Sequence, residues 1–264
     1  MTLQQTSAPI PRLPKPDSNK RPTIFGIPVY NESLQQAVNW IVKSAQNKQP
    51  VTAQFVNADC LNKAYNNNHY RRVLQRADHI FSDGSGVQLA CRIMHRLKQE
   101  NVNGTDLFPL LCKESQRHNL RIFLLGARPN LARKVKANMQ RRYPGVNIVG
   151  VHNGYFDDDD TDEVIKKINL SDADILLVAF GAPLQELWID KHRQKIAPAV
   201  CIGVGGLFDF YSGRISRAPQ WLRRIGCEWL WRLKNEPQRL WKRYLIGNIV
   251  FVFRVMKQSM GTQS

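Results

Sequence analysis

Three stretches of the sequence combine residue types that can act on a phosphorylated substrate. In "FSDGSGVQLACRIM" (81–94), Asp83 ends an apolar run, and Gly84 and Gly86 lead into an amphipathic window. A carboxylate there can accept a proton, and a helix start beside it can turn free N–H groups toward an anion. The same spacing also serves a plain helix N-cap. In "GVGGLFDFYSGRISRAPQWLRRIG" (203–226), Gly203, Gly205 and Gly206 precede Asp209, and Arg214, Arg217, Arg223 and Arg224 follow. Bare backbone can approach phosphate oxygens, and guanidinium groups can grip them in pairs. Ordinary turn chemistry accounts for a G-x-G-G equally well. In "AFGAPLQELW" (179–188), Gln185 and Glu186 fall in the first turn of a helical window after Gly181 and Pro183. They can bond a base or sugar, or simply complement the helix dipole.

Other patterns point away from common chemistries. The run "FDDDDTDEV" (156–164) offers the D-x-D that can hold a divalent ion against a diphosphate. It leads directly into "TDEVIKKI", where acidic residues suit a helix N-terminus, so it reads as structural. The six histidines lack ligand spacing, and neither a nucleophile elbow nor a Walker A loop is present. No metal and no cofactor are expected. The D-G-x-G of residues 83–86 also lacks the third glycine of the dinucleotide fingerprint.

These residues need a scaffold, and the hydropathy pattern supplies one. Short apolar runs at 23–29, 52–57, 79–82, 121–126, 147–152, 174–180 and 199–204 read as strands. Amphipathic windows at 32–46, 61–77, 86–98, 105–117, 130–142, 161–168 and 184–195 lie between them. This alternation predicts an α/β fold: a Rossmann-like, mostly parallel sheet with helices on both faces. Ligands bind such sheets at the carboxyl ends of the strands. Those ends carry "NADC" (57–60), "DGSG" (83–86), "GARPN" (126–130), "GAPLQE" (181–186) and "GVGGLFD" (203–209).

Composition sets the surroundings. The chain has 264 residues and a formal net charge of +17, which implies a polyanion or an anionic membrane as partner. Residues 1–22 are expected to be a disordered, proline-rich basic leader, residues 23–210 the α/β core, and residues 211–264 a basic helical appendage. The appendage carries Trp221, Trp229, Trp231 and Trp241, and its pattern predicts two helices broken at Pro237. Indole beside arginine suits a membrane interface. A nucleic-acid groove has no use for the aliphatic runs between the tryptophans, so nucleic acid ranks below a membrane as partner. The apolar run "YLIGNIVFVF" is about half the ~20 residues of a membrane span. The five cysteines form no C-x-x-C and the amino terminus has no signal-peptide core, so the expectation is a cytoplasmic protein with reduced thiols.

Taken together, "NADC", "SDGSGV", "NGTDL", "GAPLQELW" and "GVGGLFDFYSGRISRAPQWLRRIGCEWLWRL" resemble the WecG/TagA/CpsF family of bacterial glycosyltransferases, glycosyltransferase family 26. The similarity runs from about Thr23 to about Arg243. It implies an inverting transfer from a UDP-sugar to a polyprenyl-diphosphate-linked sugar, without a metal. The setting would be exopolysaccharide, teichoic acid or surface-antigen synthesis at the inner face of the plasma membrane, with a homo-oligomer possible. It makes Asp83 the base and turns Gln185 toward the donor. It also marks Asn57, Gly84, Asn101, Gly104, Asp106, Gly126, Glu186, Gly203, Gly205, Gly206 and Asp209 as substrate-binding. Arg214, Arg217 and Arg224 would meet the diphosphates, Arg217 and Arg224 first. Two departures bear on the donor: Phe55 stands where the family often has Thr, and Asn101 where it often has Arg. These leave an N-acetylmannosamine-type donor open beside a neutral or otherwise modified hexose. The competing class is a non-catalytic Rossmann-like module that binds membranes or nucleic acid.

Overall fold

The computed structural model describes residues 21–261. The expectation for the leader therefore lies, up to residue 20, outside the described residues. Strands β1 (Thr23–Ile24) and β2 (Ile27–Pro28) form a small antiparallel hairpin. Strands β3 (Val51–Val56), β4 (His79–Ser82), β5 (Arg121–Gly126), β6 (Asn147–His152), β7 (Ile175–Ala179) and β8 (Val200–Gly203) form one parallel sheet. Its order is β4-β3-β8-β7-β5-β6. The sheet and its helices match the expected Rossmann-like α/β fold.

Alternation along the central strands divides the core. Ile175, Leu177 and Ala179 face the helices Leu34–Gln46, Gly104–Arg117 and Leu131–Arg142. Leu176 and Val178 face the helices Thr161–Leu170 and Leu184–His192 on the other side. Because both faces are covered, the central strands are apolar at nearly every position.

Three expectations are corrected. The run 23–29 is not a sheet strand: Phe25 (φ 53°) and Gly26 (φ 77°) reverse the chain into a two-residue hairpin turn. The window 61–77 is not one helix. Asn67 ends the helix Ala58–Asn66 and, with its side chain accepting from the Tyr70 N–H, caps the next, Asn68–Arg76. The carboxyl-terminal region is not two helices broken at Pro237. It contains Gln220–Arg224, Glu228–Asn235, Pro237–Trp241, the π-helical turn Lys242–Ile246 and Gly247–Gly261. Pro237 begins a helix, at a position where its missing N–H costs nothing.

The last helix is tied into the core. Phe251 and Val255 are buried in a cluster with Val56, Leu61, Val87, Ala90 and the hairpin residues Ile24 and Ile27. Asn62 donates to the Gly247 carbonyl at 2.8 Å, and Arg254 donates to Asn62 and Asn66. The segment between the sheet and this helix is thereby drawn across the carboxyl ends of the strands.

Candidate active site

At those strand ends lies a cavity of about 1040 Å³. That is at the upper end of the range for small-molecule sites. Its floor is Asn57 after β3 and Asp83 after β4. One wall is Gly181 and Gln185 after β7, with Gly205 and Gly206 after β8. Gly84 and Asn101, next to Asp83, and Gly104 also line it. The opposite wall comes from the carboxyl-terminal segment, which adds Arg223, Arg224, Arg232, Arg239 and Arg243.

The floor follows from strand register. Val56 pairs with Ser82 in the parallel ladder, so the next residues, Asn57 and Asp83, emerge side by side. The Asn57 side-chain oxygen accepts from the Asp59 and Cys60 N–H groups, both at 3.1 Å, and caps the helix Ala58–Asn66. Its amide nitrogen then bonds the Asp83 carboxylate. Burial raises the Asp83 carboxyl above the ordinary carboxylate value, and Arg232, the Asn57 bond and Arg243 pull against that rise. The result is a carboxylate stronger as a base than a free aspartate, held among cations. The N-cap reading of Asp83 does not hold: Gly84 stands at that position, with no side-chain cap bond for the helix Ser85–His95.

Asn101 supports the neighbouring turn. Its side-chain oxygen accepts from the Gly84 N–H at 2.8 Å, which leaves its amide nitrogen for other partners. Phe55 lines the cavity and packs its ring against Phe81, with centroids 4.9 Å apart.

The arginines divide into two kinds. Arg217 does not line the cavity. It donates to Asp106 at 2.5 Å and approaches Glu228 at 3.5 Å. Burial alone would raise the Asp106 carboxyl, but the Arg217 and Asn103 bonds hold it below its ordinary value. Arg217 and Asp106 therefore staple the segment after β8 to the helix Gly104–Arg117, which is a different task from meeting a diphosphate. Arg214 is likewise spent, on Asp209 at 2.8 Å and Glu236 at 3.7 Å, outside the cavity wall. Arg224, by contrast, does line it.

Arg232 and Arg243, rather than Arg217, line the cavity near Asp83. Both act on Asp83 through space. The Arg232 Nε makes no hydrogen bond, and its guanidinium lies over the Phe210 ring at 5.3 Å. Arg243 faces Asp59 at 3.5 Å. Arg239 is taken up by Glu236 and Arg223 approaches Asp106 at 3.6 Å, which leaves Arg92, Arg224, Arg232 and Arg243 facing only Asp59, Asp83 and Glu228 among the acidic residues that line the cavity. The surplus suits a diphosphate. The basic composition of the segment is visible in the sequence. Which arginines are free is not, because that depends on acidic partners as distant as Asp106.

Several predicted glycines and polar residues do other work. Gly126 lies outside the cavity, and a Cβ there would come within 2.6 Å of the Ala179 carbonyl oxygen; its role is close strand packing. Gly203 is also behind the wall, and a Cβ would collide with the amides of Gln54 and Gln185. Glu186 is fully buried and does not reach the cavity. Gln185 is almost fully buried too. It lines the wall, but its amide is engaged by Gly181, Gly205 and Glu186 and is not free to face a donor. The acidic run is a 3-10 turn, Asp158–Asp160, leading into the helix Thr161–Leu170. Asp162 there pairs with Lys195 and Glu163 with Lys167, away from the cavity.

The sequence model of the Glycosyl transferase WecG/TagA/CpsF family matches residues 22–264. A relative from Bacillus subtilis (strain 168) is 34% identical over 224 residues, covering 84% of this chain and 86% of its own. Another, from Bacillus spizizenii, is 37% identical over 183 residues, covering 69% and 70%. Both are named N-acetylglucosaminyldiphosphoundecaprenol N-acetyl-β-D-mannosaminyltransferase.

Proposed function

The chain belongs to the WecG/TagA/CpsF family of glycosyltransferases, and from that premise we propose that it moves a hexose from UDP to a sugar carried on a polyprenyl diphosphate, inverting the anomeric centre. One observation carries this reading. Asp83 stands on the floor of a cavity between glycine turns and a wall of arginines, the arrangement a single displacement needs. The acceptor hydroxyl oxygen attacks the anomeric carbon while its proton passes to the Asp83 carboxylate. The bond from that carbon to the β-phosphate oxygen breaks, and its electron pair leaves with UDP. Arg232 and Arg243, with Arg224, take up the developing charge, a task a divalent ion performs in other enzymes. The relatives' names, which specify an undecaprenyl-diphosphate-linked acceptor, support the same acceptor class here.

For the donor, Phe55 offers an apolar ring and Asn101 an uncharged amide. A neutral hexose, plain or modified, fits those two residues.

The acceptor is met at an anionic membrane surface. Among the described residues no helix is long and apolar enough to cross a membrane. The helix Gly247–Gly261 instead presents Ile249, Phe253, Met256 and Met260 to solvent, 51–73% exposed, on the face opposite Phe251 and Val255. Lys257 is exposed beside that stripe, while Arg254 is tied to Asn62 and Asn66. An apolar face bordered by a cation seats on anionic head groups. In this reading the enzyme lies on the inner face of the plasma membrane.

The decisive experiment measures turnover of a panel of UDP-sugars with a short-chain polyprenyl-diphosphate-sugar acceptor, in the presence of a chelator. Wild type is expected to turn over a neutral UDP-hexose. Asp83→Asn is expected to lose about 10²–10⁴-fold in kcat while binding UDP normally. An active Asp83→Asn enzyme, or an absolute requirement for manganese, would overturn the mechanism.

A further inference from the structure

Glu186 is a fully buried carboxylate that touches neither the cavity nor solvent. Its Oε1 accepts from the Gln185 Nε2 at 2.8 Å. That oxygen accepts whether the carboxyl is ionised or carries its proton on Oε2, so the Gln185 amide presents its nitrogen inward. The Gln185 oxygen is thereby turned outward. There it accepts from two backbone N–H groups, Gly205 at 2.8 Å and Gly181 at 3.2 Å. These glycines belong to different loops, one after β7 and one after β8, and both line the cavity. The last backbone bond between these strands, from the Val204 N–H to the Val178 carbonyl at 2.8 Å, falls short of joining the turns at Gly181 and Gly205. One side chain does so instead, and the absence of a Cβ at Gly203 makes room for it.

We propose that Glu186 is a positioning residue: it fixes the orientation of the Gln185 amide, which in turn clamps the Gly181 and Gly205 turns into the shape that receives the nucleotide diphosphate. The inference rests on the reading of the cavity as a UDP site and deepens it. Its specific content is that the hydrogen-bond acceptor at position 186, rather than the volume there, sets donor affinity. The groups facing Glu186 are Lys63, Tyr70 and Cys60, besides Gln185. Burial pushes the carboxyl up to about 7 against the Gln185 bond and the Lys63 charge. Retaining so costly a group beneath the wall is in keeping with a demand on its chemistry.

The test compares Glu186→Gln, which keeps an acceptor oxygen, with Glu186→Met, which keeps volume and removes it. UDP affinity is read by calorimetry, and exchange of the Gly181 and Gly205 amide hydrogens by NMR. The expected result is UDP binding within about twofold of wild type for Glu186→Gln and about tenfold weaker for Glu186→Met, a loss near 1.4 kcal/mol. Gln185→Met should be weakened similarly, and adding Glu186→Met to it should cost nothing further. Equal UDP affinity in a folded Glu186→Met variant, or additive losses in the double variant, would sink the inference. If Glu186→Met does not fold, wild-type exchange decides: both glycine amides must be protected at least tenfold over free peptide, and unprotected amides refute the clamp. A wild type that binds no UDP would instead defeat the reading of the cavity, while amide protection would still report on the clamp.

Discussion

Asn57 and Asp83 stand side by side because the parallel register that pairs Val56 with Ser82 continues one residue beyond the sheet. One amide divides its work between them. The Asn57 oxygen caps a helix, and its nitrogen bonds the carboxylate expected to act as base.

That division gives a prediction about pH. The Asn57 bond favours the charged form of Asp83, so its removal raises the carboxyl's pKa further. Activity needs the ionised form, and the acidic limb of the kcat/KM profile of Asn57→Ala should move to higher pH. The lost cap should also lower stability by about 1 kcal/mol. A profile unmoved in a folded Asn57→Ala enzyme would remove Asp83 from the base role.

The two kinds of arginine should separate kinetically. Arg232→Met and Arg243→Met are each expected to cut kcat/KM by roughly 10²-fold or more, as loss of a charge-stabilising donor does elsewhere. Arg214→Ala breaks only ion pairs with Asp209 and Glu236 and should stay within a few-fold of wild type. Steady-state kinetics on the three variants checks this, and an Arg214→Ala defect equal to the others would contradict the division.

Glu186 should leave a signature in stability. Its folded carboxyl holds a proton up to about pH 7, whereas in the unfolded chain it releases it near its ordinary 4.5. Between those values the native state binds more protons, so stability falls as pH rises through that window. The decline is on the order of 3 kcal/mol. Denaturant titrations from pH 4 to 8 should show a shallower decline for Glu186→Gln than for wild type.

Membrane docking can be tested without disturbing the core. Cutting the chain after Ser212 would strip Phe251 and Val255 from the cluster they share with Val87 and Leu61, so a truncation confounds docking with folding. Ile249→Ser with Phe253→Ser changes only exposed side chains. The double variant should keep its Tm to within a few degrees and lose flotation with anionic liposomes. Undiminished flotation would place the membrane contact elsewhere.

Much of this protein is legible in its sequence because the relevant forces act over short stretches. Strand–helix alternation follows from periodicity, and parallel strands from their unbroken apolar runs. The polar residues at strand ends follow from the same pattern, so Asn57, Asp83, Gly205 and Gly206 could be named in advance, and they line one cavity; Asn101 is marked by the family resemblance alone. What failed locally failed through backbone chemistry: Phe25 and Gly26 turn a presumed strand into a hairpin, and Asn67 divides a presumed helix.

The tertiary structure alone decided how the charges are spent. Arg217 and Arg232 are indistinguishable as letters in a basic segment. One is neutralised by Asp106, more than a hundred residues away, and the other is left facing Asp83. Likewise Gln185 and Glu186 read as a polar first turn open to a ligand, yet the packing of their helix against the strand ends buries both. Electrostatic and hydrogen-bond partners are chosen by distance in space, and sequence spacing carries no information about a partner brought in by the fold.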